Sequence, residues 1–103
     1  MKQGDIVLVP FPFSDLSSIK TRPALVISKE NNGQDIILLA ITSIENNGFK
    51  IEDSNLEEGL LPKTSFIKLN RVVSLKKTII RKKVAELKTN ICSKVVKEFK
   101  ELF

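Results

Sequence analysis

PALVISKENNGQDIILLAITSI, residues 23–44, decides the architecture. Two apolar runs rich in Val and Ile flank Asn32-Gly33, the dipeptide that enters positive-φ hairpin turns most readily. Each run is too short for a typical helix and is bounded by turn residues, so the pair reads as two antiparallel strands. The same tetrapeptide, ENNG, recurs at residues 45–48 and is followed by FKIE (49–52), which extends the pattern into a meander.

Moving outward, DIVLVPFPF (5–13) is a further strand. Pro10 and Pro12 lack amide donors, which puts its later half at a sheet edge or outside the sheet. SFIKLNRVVSL (65–75) and KKVAEL (82–87) supply two more strand candidates. The period then changes. In TNICSKVVKEFKELF (89–103) the apolar positions Ile91, Val95, Val96, Phe99 and Leu102 recur at three and four, and Lys and Glu fill the other face. Thr89 or Asn90 is the expected N-cap, and Cys92 is expected on the packing face. Five or six short strands and one terminal helix predict a mainly β fold, a compact barrel flanked by that helix.

With 103 residues the chain has room for one domain, spanning 1–103. Its longest apolar run, IILLAI at 36–41, is far too short to span a bilayer. One cysteine leaves no internal disulfide and no cysteine metal cluster, which makes the cytoplasm the expected compartment. The net charge of +5 is unevenly spread: residues 1–61 hold five Lys/Arg and nine Asp/Glu, residues 62–103 twelve and three. A basic C-terminal part fits a polyanionic partner or a solvated lysine-rich surface.

The chain has no His, Trp or Tyr. Imidazole acid–base chemistry, histidine metal sites and Ser-His triads are therefore unavailable, and no metal or cofactor is expected. Glu52, Asp53, Glu57 and Glu58 fall in a polar stretch that reads as solvated, and neighbours such as Glu52 and Asp53 point apart on an extended segment. What remains is guanidinium, ammonium and hydroxyl chemistry, which suits phosphate. Arg22 precedes Pro23, so its backbone is confined to extended conformations. It enters the second strand beside the hydroxyl-rich loop SDLSSIKT (14–21). Thr42 and Ser43 end the third strand. If those strands are neighbours, Arg22 and Thr42 meet at one rim; the alternative partners for Arg22 are Asp15 and Asp5.

GDIVLVPFPFSD, KTRPALVIS, LLAITSI and GLLPKTSFIKLNRVVSL, in that order over nearly the whole chain, resemble the MazF/PemK family of bacterial toxin endoribonucleases. The resemblance implies an SH3-like barrel, a homodimer, metal-independent cleavage of single-stranded RNA, and restraint by a cognate acidic antitoxin. It places the family's catalytic arginine on Arg22 and its catalytic hydroxyl on Thr42. Attack of a ribose 2′-hydroxyl on the adjacent phosphorus would give a 2′,3′-cyclic phosphate and a 5′-hydroxyl end. Substrate contacts are expected from Phe13, Ser14 and Asp15, from Lys20 and Thr21, and from Ser43 and Lys63. Lys76 and Lys77, with Arg81, Lys82 and Lys83, form a basic cluster suited to an RNA backbone or an acidic antitoxin tail. The loop before Arg22 lacks the Gly and the Glu or Gln common in the family. The alternative readings are a non-catalytic nucleic-acid-binding or dimerisation module of the same fold, and a small barrel that binds an acidic protein.

Overall fold

The computed structural model describes residues 1–12, 19–29, 33, 35–44 and 48–103. Seven strands form one antiparallel sheet: β1 (Asp5–Pro12), β2 (Ile19–Val26), β3 (Asp35–Thr42), β4 (Phe49–Ile51), β5 (Leu56–Gly59), β6 (Ser65–Lys76) and β7 (Lys82–Leu87). Helix α1 (Thr89–Lys100) follows. The strand order is β4-β6-β3-β2-β1-β7-β5. The first and last strands of that order are consecutive in the chain, joined by Glu52 and the 3₁₀ turn Asp53–Asn55. So short a link between opposite edges forces the sheet to curl, and the expected barrel is realised in this way.

The curl lets the central strands bury both faces. On one face Ile6, Leu25, Leu39, Ile41, Ile51, Ile67 and Leu87 form the main core with Cys92 and Val95 of α1. On the other, Val7, Val9, Ala24, Val26, Ile36 and Leu38 form a second cluster, partly covered by Leu75 and Ile80. This explains why PALV and DIILLA read as continuous apolar runs rather than alternating ones.

The proline-bearing half of β1 behaves as its chemistry requires. β7 pairs with Asp5–Leu8, so among the described residues the strand beyond Leu8 has β2 on one side alone. The repeated turns fall largely outside the described residues, but Gly48 is described: its φ is 139°, and a Cβ there would strike the Ile67 carbonyl. β2 begins at Ile19, so Lys20 and Thr21 belong to the strand and pair with Phe11 and Pro10 rather than to a loop. The cap of α1 also differs from expectation. Lys88 occupies the N-cap, Thr89 is already helical, and no side chain caps the turn. Leu102 lies past the helix end and is exposed.

β5 was not evident in the sequence. LEEG carries too few apolar residues to announce a strand, yet it pairs with β7 as an edge. Its Glu58 joins a charge cluster centred on Lys83, whose Nζ lies 3.0 Å from Glu86 Oε1, 3.1 Å from Glu58 Oε1 and 3.3 Å from Asp5 Oδ1. Lys83 is thus spent on tying β1, β5 and β7 together and does not join the basic cluster. Glu86, then Glu58 and Asp5, hold the Lys83 ammonium above its ordinary range, and Lys83 chiefly holds the Glu86 carboxyl below its own.

Candidate active site

β2 and β3 are neighbours, with Ala24 opposite Ala40, Leu25 opposite Leu39 and Val26 opposite Leu38. Carrying that register two residues further sets Arg22 opposite Thr42. Both lie two positions from the Ala24–Ala40 pair, so their Cβ atoms leave the sheet on the same side. The two residues line one cleft of about 250 Å³, together with Pro23, Ile41, Ser43, Leu61, Pro62, Lys63 and Ser65.

Each wall has a local cause. Pro23 lies within β2, opposite Leu8, and holds Arg22 extended before it. Thr42 is half-buried between β2 and β6, where it pairs with Phe66. Its Oγ1 accepts the Ile44 N–H at 3.1 Å, so the oxygen is fixed while the hydroxyl proton stays available to a ligand. The opposite wall is LPK, residues 61–63. Leu61 anchors it in the main core, and the buried Ser65 hydroxyl donates to the Lys63 carbonyl at 3.0 Å. Lys63 itself is exposed at the rim.

The cleft therefore gathers Arg22, Thr42, Ser43 and Lys63 from the expected set. Among the described residues, two cations, three hydroxyls and no carboxylate line it. That donor set matches a phosphodiester, with the guanidinium able to span two non-bridging oxygens. Asp5, one alternative partner for Arg22, is instead buried beside Lys83. Among the described residues no cluster of three or more His, Cys, Asp or Glu could hold a metal ion.

Other expected contacts are elsewhere. Lys20 and Thr21 are exposed on β2 beyond Arg22 and do not line the cleft. Lys76 pairs with Asp35, seven residues along β3 from Thr42, which puts it about 24 Å away at the opposite end of the sheet. Lys77 follows it. Phe13, Ser14 and Asp15 lie outside the described residues. The walls Leu61 and Pro62 were not singled out, although the LPKTS segment that holds them was a visible signal.

A model of the family described as "PemK-like, MazF-like toxin of type II toxin-antitoxin system" matches residues 2–103. This chain belongs to that family. The fold agrees with solved structures of two MazE–MazF crystal forms from Deinococcus radiodurans. One has a TM-score of 0.75 at 18% identity, covering 99% of this chain and 94% of that chain. The other has a TM-score of 0.68 at 15% identity with the same coverage. An endoribonuclease in complex with its cognate antitoxin, from a mycobacterial species, matches at a TM-score of 0.68 and 14% identity, covering 100% of this chain and 97% of that one. A comparison with curated proteins found none that matches. Among the described residues no helix is long and apolar enough to cross a membrane.

Proposed function

We propose that this PemK/MazF-family toxin is an endoribonuclease that cleaves single-stranded RNA without a metal ion. The observation that carries the proposal is the meeting of Arg22 and Thr42, from paired strands, in a cleft lined by cations and hydroxyls. In the proposed reaction the ribose 2′-hydroxyl oxygen bonds to the adjacent phosphorus and loses its proton. The P–O5′ bond breaks, and the departing oxygen takes up a proton, leaving a 2′,3′-cyclic phosphate and a 5′-hydroxyl. Arg22 stabilises the charge that grows on the non-bridging oxygens, an interaction stronger in the transition state than in the ground state. Thr42 donates its hydroxyl proton to a phosphate oxygen and sets the phosphate's orientation.

The partner in this proposal is a cognate antitoxin with an acidic segment, in line with the toxin–antitoxin complexes among the structural neighbours. The segment would seat on the basic end of the sheet near Lys76, Lys77 and Arg81, and the toxin would act as a homodimer. The deciding experiment is incubation of purified protein with mixed-sequence RNA in excess EDTA, followed by mapping of the new ends. Cyclic phosphate and 5′-hydroxyl termini are the expected products. Binding without cleavage, or cleavage that EDTA abolishes and magnesium restores, overturns the proposal.

A further inference from the structure

LPK, residues 61–63, walls two clefts. One is the cleft of Arg22 and Thr42. On its other side a larger one of about 370 Å³ is lined by Glu52, Asp53, Ser54, Leu61, Pro62, Lys63 and Thr64. Lys63 stands at the boundary of both. Their chemistry differs sharply: the first holds cations and hydroxyls, the second adds two carboxylates. Glu52 and Asp53 share this cleft because they sit at a 3₁₀ turn rather than on an extended segment.

The two acids are not equivalent. Glu52 builds the turn, its N–H donating to Asn55 Oδ1 at 2.8 Å and its carboxylate pairing with Lys50 at 3.3 Å. Asp53 serves the turn through its backbone carbonyl, which accepts from the Leu56 N–H, while its carboxylate is exposed at the cleft. An RNA backbone lying there would be repelled by it. A base turned into the cleft would not. A carboxylate offers two acceptor oxygens side by side and rewards a partner with two adjacent N–H donors. Among the four bases, only guanine presents such a pair, N1–H and N2–H, on its Watson–Crick edge. Splayed bases of single-stranded RNA are read on that edge.

We propose that the Glu52–Thr64 cleft is a base-recognition subsite in which the Asp53 carboxylate selects guanine in a nucleotide neighbouring the scissile phosphate. Lys63 then holds the phosphate between the two clefts. The inference rests on the RNA-cleaving reading of the Arg22 cleft and adds its sequence preference.

The test is cleavage of a short single-stranded RNA with a randomised segment, with the new 5′-hydroxyl ends sequenced for wild type, Asp53→Asn, Asp53→Glu and Glu52→Gln. Wild type should enrich guanine at one position beside the cut. Asp53→Asn, which exchanges an acceptor for a donor facing guanine's own donors, should reduce that enrichment about tenfold. Asp53→Glu should keep part of the preference and Glu52→Gln most of it, which separates base reading from a loss of the turn. Wild-type cleavage without a guanine preference, or a preference unchanged in Asp53→Asn, overturns the subsite and leaves the nuclease reading standing. No cleavage by wild type overturns both.

Discussion

Lys83→Met removes one cation from three carboxylates, and their exposures say which loss matters. Glu58 is 63% exposed, so its pair with Lys83 contributes close to nothing. Glu86 is 18% exposed and keeps Lys2, whose Nζ lies 3.2 Å from Oε2. Asp5 is 4% exposed, and its Oδ1 has no hydrogen-bond partner; the Lys83 charge at 3.3 Å is what answers it. Removing one partner of a buried pair costs about 3–5 kcal/mol. Here Lys83 is itself 32% exposed, and Asp5 Oδ2 retains the Lys2 N–H at 3.0 Å, so the expected loss falls to roughly 2 kcal/mol. For a domain of this size that lowers Tm by about 10 °C. Urea titrations of Lys83→Met, Asp5→Asn and the double variant isolate the coupling. Asp5→Asn should restore much of the stability lost in Lys83→Met, because it removes the stranded charge. Equal instability of Lys83→Met with and without Asp5→Asn would refute the assignment of the cost to Asp5.

The acid limb of the stability curve should report the same cluster. Lys83 holds the folded Glu86 carboxyl below its ordinary 4.5, so this stabilisation is present above that value and is lost as pH falls through the folded pKa. Denaturant midpoints measured from about pH 5 down to pH 3 should fall less steeply for Glu86→Gln than for wild type. Arg22→Ala should slow RNA cleavage by about two to three orders of magnitude with the thermal midpoint little changed, the scale of losing one oxyanion donor. Arg22→Lys should restore only part of it, because an ammonium lacks the planar fork; unimpaired cleavage by Arg22→Ala would sink the site. Gly48→Ala combines a φ of 139° with a collision at the Ile67 carbonyl and should cost about 2–3 kcal/mol by chemical denaturation. A neutral Gly48→Ala would show that β4 shifts freely against β6.

What the sequence disclosed follows physical rules that act locally. Apolar β-branched runs between Gly, Pro and Asn marked β1, β2 and β3, because burial on both faces leaves a continuous apolar trace, whereas β6, buried only at Ser65–Ile67, was marked by its spaced apolar residues. The amphipathic period marked α1 because only one face of that helix packs on the main core. Arg22-Pro23 and the end of β3 pointed to one rim because Pro restricts the backbone and hydroxyls cluster at the strand end. Three features depend on distant partners and left no local trace. β5 owes its existence to β7, Lys83 owes its role to acids on three strands, and Glu52 and Asp53 owe their common cleft to a turn that only the curl of the sheet explains. The stretch 82–83 shows the limit plainly: two adjacent lysines in one strand, one exposed and one half-buried among carboxylates.

The sheet's outer strands have a consequence for how this molecule keeps company with other chains. β4 is three residues long, β5 is four and carries Glu57 and Glu58, and the uncovered stretch of β1 contains Pro10 and Pro12, which offer no amide hydrogen. A stranger's strand arriving at any of these borders finds too few groups to continue the ladder, or finds charge in its way. Edge-to-edge growth is thereby discouraged at these borders. β6 is the exception: β4 meets only Ser65–Ile67, so among the described residues 68–76 have β3 on one side alone, and a second copy or a peptide that joins through its backbone has that border to use.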